Sequence, residues 1–231
     1  MYIRTIITFL CLILLNLCSV WDLVAAATPK VNITQENTKI EASHRIRTMQ
    51  NILYSTAMKF DYSTLAVVID GLQKEPRGRM QNTRISLSPY VSRDTEFIKL
   101  FIHELAHYID IYTFVSRWEY DISDDFYHIS WKTPQVKRAN QGTLDFVSGY
   151  AASNQYEDFA ETFVFYIFHN DTFADRALRS DALRQKYLFL SEKVFPKWTF
   201  QWTDFTIWKI PAYVWDTTKI SYSLQKYLYS L

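Results

Sequence analysis

The spacing of apolar and polar residues along the chain predicts a mixture of helices and short strands. Apolar residues recur at helical spacing in four segments, which we predict as helices: 41–59, 92–110, 154–170 and 173–195. The β-branched run 63–72 predicts a buried strand, and the alternating run 83–90 predicts a half-buried or edge strand. The polar segments 28–40 and 72–82 are predicted as a loose arm and a connection. The mixed, aromatic segment 116–145 is predicted as a loop region with short structure.

The long helix near the middle of the chain has two distinct faces. Its core-facing stripe consists of four residues at i, i+4, i+7 and i+11: Ile98, Ile102, Leu105 and Ile109. His103, His107 and Asp110 fall together on another face. Ser92 or Asp94 can cap the start of this helix.

The helix predicted at 154–170 begins with strong local signals. Asn154 is a candidate N-cap, and acidic residues in the first turn suit the helix dipole. Glu157 and Glu161 are four residues apart and therefore share one face. After residue 195 the composition changes, because four of the seven tryptophans lie in 196–231. We predict that this aromatic-rich extension forms strands or an extended wrap on one domain that spans 28–231.

The N-terminal segment has the pattern of a secretory signal peptide. One arginine precedes the apolar run "TIITFLCLILLNLCSV", and Ala25-Ala26-Ala27 fits the small-residue rule for cleavage. We predict that residues 1–27 are removed, that the mature protein starts at Thr28, and that it is secreted to the periplasm or the extracellular space without stable membrane insertion. The alternative is an uncleaved membrane anchor.

Composition narrows the possible chemistry. A net charge of +1 gives no sign of a nucleic-acid partner, and only four glycines with no phosphate-loop motif argue against a nucleotide site. Both cysteines lie within the predicted signal peptide, so the mature chain would have none. A metal site would therefore have to be built from His, Asp and Glu.

The sequence His103-Glu104-x-x-His107 suggests such a site. Residues four apart on a helix project from one face, so both imidazoles can bind one Zn²⁺ at about 2.0–2.1 Å. Glu104, beside the first histidine, can reach a zinc-activated water without binding the metal and can act as its general base. The chemistry indicated is zinc-dependent peptide hydrolysis.

A catalytic zinc needs a third protein ligand and an open fourth position. Asp110 and Thr113 stand where the metzincin motif has glycine and histidine, so that continuation is absent. The remaining candidates are two histidines and two carboxylates: His128, His169, Glu157 and Glu161. One carboxylate of the pair can bind zinc while the other orients a ligand histidine.

Two stretches, "HELAHYID" and "GYAASNQYEDFAETF", resemble the gluzincin metallopeptidases of the anthrax lethal factor type and their small secreted relatives, the Pro-Pro endopeptidases. Those proteins carry an aspartate three residues beyond the second histidine, and later a tyrosine followed seven residues on by a glutamate that opens an E-x-F-A-E helix. Asp110, Tyr150 and Glu157 match these positions. Asp158 stands where some relatives carry phenylalanine. The resemblance covers residues 92–170.

The resemblance implies a role for each matched residue. Glu157 would be the third zinc ligand, Glu161 would lie behind the ligands, and Tyr150 would stabilise the oxyanion. Asp110 would orient a ligand histidine or be an ordinary polar helix residue. The fold implied is an α+β zincin-like domain with a small mixed sheet, the HExxH helix and a mainly helical C-terminal half.

We therefore expect a secreted endopeptidase with one zinc ion per chain that acts on a protein or peptide substrate. Two alternatives stay open: an exported zinc-binding protein without proteolytic activity, and a zinc hydrolase that acts on a non-protein bond. The sequence favours no particular oligomeric state.

Overall fold

A four-stranded mixed sheet forms from the first part of the chain in this computed structural model, which describes residues 31–114, 121–195 and 199–231. Its strands are β1 (Asn32–Glu36), β2 (Ala66–Asp70), β3 (Gly78–Gln81) and β4 (Arg84–Leu87). They lie in the order β1-β2-β4-β3, with β1, β2 and β4 parallel and β3 antiparallel to β4. The central strand β2 buries three consecutive residues, as expected for an inner strand covered on both faces: Val67, Val68 and Ile69.

Both edge strands lie in segments whose polar composition predicted other structure. β1 falls in 28–40, predicted as a loose arm, and β3 falls in 72–82, predicted as a connection. β4 lies between β2 and β3, so the half-buried alternative for 83–90 is right and the edge alternative is wrong. Edge strands face water along one side and need few apolar residues, so an apolar pattern reveals them poorly.

Seven α-helices occur in the described residues: α1 (Ser43–Leu53), α2 (Asp94–Tyr108), α3 (Ile122–Ser130), α4 (Gln155–Phe168), α5 (Asn170–Ala177), α6 (Asp181–Phe189) and α7 (Leu224–Tyr229). A small hairpin joins β5 (Trp131–Thr133) to β6 (Val136–Lys137). None of these helices combines the length and the apolar content needed to cross a membrane. The predicted α+β class, with its small mixed sheet and helical C-terminal half, is confirmed.

Two helix predictions need correction. The helix predicted at 41–59 ends at Leu53, and the one predicted at 173–195 is two helices, α5 and α6, separated at 178–180. The segment 116–145, predicted as a loop region with short structure, contains the short helix α3 and the β5-β6 hairpin; its residues 116–120 lie outside the described residues. In each case the apolar pattern alone did not show where one element ends and the next begins.

Helix α2 occupies the centre of the domain. It packs against α4 on one side and against β3 and β4 on another. Its start differs from the prediction, because the N-cap residue is Arg93 and no side chain caps the helix. Asp94 and Glu96 instead lie in the first turn, where negative charge interacts favourably with the helix dipole. The helix continues through Thr113 as a π-helical turn.

The described part of the aromatic-rich extension, 199–231, wraps over the body in mostly irregular structure. It has no strand of its own among the described residues and touches other segments through isolated bridges, such as His169 to Asp204. A 3₁₀ turn at Thr217–Lys219 packs against both α2 and α4. The extended wrap is therefore the better of the two predicted alternatives, and the wrap reaches the two helices that carry the candidate site residues.

Candidate metal centre

Helices α2 and α4 carry the candidate metal ligands on facing surfaces. The apolar stripe of α2 is fully buried, which fixes the rotation of the helix and directs His103 and His107 towards α4. Helix α4 begins at the Asn154 cap, whose side chain accepts hydrogen bonds from the backbone N–H groups of Tyr156 and Glu157. The cap predicted at Asn154 is confirmed, and it places Glu157 in the first turn of α4, opposite the two histidines.

Three donor groups converge between these helices. His103, His107 and Glu157 each offer one ligand atom, and these atoms lie within 4.8 Å of one another. Glu157 Oε2 is 3.1 Å from His103 Nε2 and 3.5 Å from His107 Nε2. Among the described residues this is the one group of three or more His, Cys, Asp and Glu side chains with such spacing.

The spacing of these atoms fits a zinc ion. Bonds of about 2.0–2.1 Å in a tetrahedral arrangement place ligand atoms about 3.4 Å apart, close to both measured distances. Two imidazoles and one carboxylate are also a ligand set of known catalytic zinc sites. The three side chains are largely buried, so an ion held here would be shielded from water on the protein side.

The electrostatics of the group favour a cation. Burial by itself would raise the pKa of Glu157, but its hydrogen bonds with His103 and His107 outweigh burial and hold the pKa well below its usual range. Burial would lower the pKa of His103, but the Glu157 and Glu161 carboxylates outweigh it and raise the pKa. The carboxylates therefore stabilise positive charge at this position, which is also what a metal ion supplies.

Glu161 lies directly behind His103. Its side chain is 0% exposed, and Oε1 is 3.2 Å from His103 Nδ1, although the two atoms are not aligned as a hydrogen bond. Oε2 accepts hydrogen bonds from Ser148 Oγ at 2.6 Å and from the backbone N–H of Thr217 at 2.8 Å. A carboxylate at Nδ1 favours the tautomer that leaves Nε2 free to bind a metal.

Glu104 points into the space between α2 and the edge strand β3. It is buried, and burial is the main reason why its pKa is raised, with His103 and His107 acting in the opposite direction. The backbone N–H of Met80 donates to its carboxylate. Gly78 leaves room for it, since a Cβ at that position would lie 2.7 Å from Glu104 Oε1. Two residues of β3 thus determine where this carboxylate lies.

Tyr150 stands at the opposite side of the same cleft. Its ring stacks on that of His103 at a centroid distance of 6.0 Å. Burial, followed by the charge of Glu157, raises the pKa of its hydroxyl, so the phenol keeps its proton and can donate a hydrogen bond. Its backbone N–H donates to the carbonyl of Trp215 at 2.7 Å, which ties Tyr150 to the C-terminal wrap.

Asp110 has contacts that the sequence did not suggest. The hydroxyl of Tyr127 donates to its Oδ2, while Oδ1 is buried without a hydrogen-bond partner. Burial raises the pKa of Asp110 to about 6. No described hydrogen bond joins Asp110 to His103 or His107, and its role in orienting a histidine stays a prediction.

The two rival histidines are not part of this group. His169 is fully buried, with Nε2 2.6 Å from Lys99 Nζ and Nδ1 2.7 Å from Thr206 Oγ1. His128 is exposed on α3. Of the four candidates for a third ligand, Glu157 is the one whose carboxylate approaches both His103 and His107.

A cleft of about 230 Å³ opens beside the donor group, where His103, Glu104 and Tyr150 line it, and the sequence did not reveal most of its other walls. One wall is the segment from Glu75 to Gly78, and the other comes from Trp215, Asp216 and Lys219 of the C-terminal wrap. Arg77 joins the walls through an ion pair of 2.6 Å with Asp216. Gly78 had one usable signal, because an isolated glycine often marks a close backbone approach. No local pattern in the sequence marked Trp215, Asp216 or Lys219 of the C-terminal wrap as part of the cleft.

A model of the protein family described as "Putative zinc-binding metallo-peptidase" matches residues 82–199, which is just over half of the chain. Comparisons with curated proteins and with solved structures found no match. The matched range includes the three donor residues, Glu104 and Tyr150. It leaves out Gly78 and the segment around Trp215, both of which line the cleft.

Proposed function

The chain belongs to this zinc-binding metallo-peptidase family, and we propose that it is a secreted zinc-dependent endopeptidase that acts on protein or peptide substrates. One observation carries the proposal: the ligand atoms of His103, His107 and Glu157 lie within 4.8 Å of one another beside the carboxylate of Glu104. A site that only stored zinc would have no need of a buried base at this position. We further propose one zinc ion per chain.

The chain's own residues can supply each step of hydrolysis. His103, His107 and Glu157 would hold the ion, which when bound acidifies a water towards a pKa of about 7 and polarises the scissile carbonyl. Glu104 takes a proton from the water as its oxygen attacks the carbonyl carbon. Glu104 then returns the proton to the nitrogen of the leaving amine. The hydroxyl of Tyr150 donates a hydrogen bond to the carbonyl oxygen as negative charge develops there.

We also infer that the peptidase is of the gluzincin kind found in anthrax lethal factor and the Pro-Pro endopeptidases. The inference is supported by the spacing of Asp110, Tyr150 and Glu157 along the chain and by the position of Glu161 behind His103. By this inference Glu157 is the third zinc ligand, and Glu161 supports the ligand His103. Replacing Glu157 by alanine should then abolish zinc binding, while Glu161→Ala should weaken it by roughly 10–100-fold.

The activity is tested with a library of end-blocked peptides. Because both ends are blocked, only an endopeptidase can cleave them, and mass spectrometry identifies the bonds cut. We expect the zinc-loaded protein to cleave, and Glu104→Gln to retain zinc while turnover falls by a factor on the order of 10²–10⁴. A protein that binds zinc but cleaves no peptide would instead be a zinc-binding protein or a hydrolase of another bond.

Export is a separate proposal that the pattern of residues 1–27 supports. The protein recovered outside the cytoplasm should begin at Thr28, which N-terminal sequencing can establish. Recovery of the uncut chain in the membrane fraction would favour the anchor alternative.

A further inference from the structure

An apolar groove of about 360 Å³ adjoins the cleft at the donor group. Six residues of the C-terminal wrap form its apolar lining: Trp208, Ile210, Pro211, Val214, Trp215 and Ile220. Trp215, Asp216 and Lys219 line both the groove and the cleft, so the two cavities are neighbours with a shared wall. The groove lies beyond the range that the family model covers.

The two indole rings of the groove are unusually accessible. Trp208 is 73% exposed and Trp215 is 61% exposed. A single exposed apolar residue is common on proteins, but two tryptophans on one concave apolar surface are typical of a binding site. Tryptophan is also among the residues that most often dominate binding energy, because it buries a large area with few rotatable bonds.

The groove is held in shape by hydrogen bonds to the body of the protein. Arg176 donates to the carbonyl of Pro211 at 2.8 Å, and the backbone N–H of Gly149 donates to the carbonyl of Val214 at 2.8 Å. Lys99, which is fully buried, donates to the carbonyl of Ile220 at 2.8 Å. A ligand would therefore meet a formed surface and would lose little affinity to ordering it.

The ring of Trp215 has a fixed position close to Tyr150. The two ring centroids are 6.5 Å apart. Gly149 packs against the indole so closely that a Cβ there would lie 2.5 Å from Trp215 Cε3. An extended peptide advances about 3.3 Å per residue, so a side chain beside Trp215 belongs to a residue within a few positions of a bond that faces Tyr150.

We propose that the groove binds one large apolar side chain of the peptide substrate, close to the scissile bond, and that Trp208 and Trp215 determine this preference. The proposal rests on the proposed function, because the wall that the groove shares with the catalytic cleft, and the nearness of Trp215 to Tyr150, identify the occupant as substrate. The apolar part of the lining selects against small side chains, which would leave the indoles in water.

The first test measures cleavage of end-blocked peptides that differ only in the position of a single Phe, together with a Phe-free parent. For the wild-type protein we expect kcat/KM to be on the order of tenfold higher with Phe at one position near the cut. In Trp208→Ala and Trp215→Ala this ratio should fall towards one. Tyr229→Ala is the matched control, since Tyr229 is 83% exposed and lines neither cavity, and it should keep the wild-type ratio.

The second test separates binding from cleavage. Affinities of the same peptides for zinc-loaded Glu104→Gln, with and without Trp208→Ala, are measured by titration calorimetry. We expect the preferred Phe peptide to bind on the order of tenfold more tightly than the parent, and the additional Trp208→Ala change to remove the difference. Equal binding of all peptides overturns the inference whether or not the wild type cleaves them. Absence of cleavage with selective binding contradicts the proposed function alone.

Discussion

At the scale of single residues, the chemistry of the site depends on a few atoms whose surroundings are unusual. The carboxylate of Glu104 has two constraints from β3, the N–H of Met80 and the missing side chain of Gly78. The hydroxyl of Tyr150 is held on the opposite wall, with its ring on His103. A proton acceptor and a hydrogen-bond donor thus face the same cleft from two sides.

Gly78→Ala should impair turnover without disturbing the fold. The new Cβ would lie 2.7 Å from Glu104 Oε1 and 3.0 Å from Glu104 Cγ and Leu100 Cδ1, so Glu104 must shift. A general base misplaced by about 1 Å can cost about 10²-fold in rate. Zinc content should stay near wild type and the protein should remain folded, which metal analysis and calorimetry can verify. Gly142→Ala is the matched control, because its Cβ would meet Asp145 Oδ2 at an ordinary 3.7 Å. Equal activity of the two variants would argue against the positioning role.

Tyr150→Phe should lower kcat by a factor on the order of 10²–10³ and change KM little, if its hydroxyl stabilises developing charge. The substitution removes one hydroxyl and keeps the ring that stacks on His103. Steady-state kinetics on a single good peptide substrate would measure kcat and KM separately. Tyr156→Phe, on the first turn of α4, is the control and should behave as the wild type. A normal kcat in Tyr150→Phe would show that the hydroxyl of Tyr150 does not stabilise the oxyanion.

At the scale of elements, the C-terminal wrap is joined to α2 by the buried side chain of Lys99. Lys99 lies one turn before His103 and donates to the carbonyls of Thr217 and Ile220, with Nζ 2.6 Å from His169 Nε2. The backbone N–H of Thr217 in turn donates to Glu161. The segment that Lys99 holds therefore touches the carboxylate behind His103.

Lys99→Met should destabilise the protein by about 1–3 kcal/mol, because it leaves buried carbonyls without their hydrogen-bond donor. The free energy of unfolding in urea measures this effect. Turnover should also fall, since the wrap contacts both Glu161 and Tyr150. Lys226→Met, at an exposed position on α7, should change stability by no more than about 0.5 kcal/mol. Equal free energies of unfolding for Lys99→Met and Lys226→Met would contradict the stabilising role of Lys99 between α2 and the C-terminal wrap.

At the scale of the whole molecule, the candidate metal ligands come from two helices that are far apart in sequence. His103 and His107 belong to α2 and Glu157 belongs to α4, so an ion bound between them links the two central helices. An ion that binds only the folded state stabilises that state by mass action. Binding of zinc should therefore stabilise the folded domain as well as support its activity.

Removal of zinc with a chelator should lower the melting temperature, and added zinc should restore it. With free zinc at 100 times Kd, the stabilisation is about 2.7 kcal/mol, which corresponds to roughly 5–11 °C for a domain of this size. Calorimetry at several zinc concentrations measures the shift. Glu157→Ala should show almost none. A zinc-dependent shift in Glu157→Ala as large as in the wild type would mean that another residue is the third ligand.

The sequence by itself determined the parts of the protein that depend on neighbours along the chain. Helical spacing placed His103 with His107 and Glu157 with Glu161, and the Asn154 cap is a contact between residues two and three apart. The same local periodicities predicted helices together with short strands, and the family resemblance implied the α+β class. The polar edge strands β1 and β3 escaped prediction, because their stability comes from hydrogen bonds to other strands and not from an apolar pattern of their own.

Only the tertiary structure decided which side chains meet. The approach of α4 to α2 brings Glu157 to both histidines, and the same packing leaves His169 against Lys99. The walls of the cleft come from residues 75–78 and 215–219, which are more than a hundred positions apart. Such contacts arise from burial of apolar surface and pairing of buried polar groups across the whole domain, and a local pattern does not specify which distant residues will be the partners.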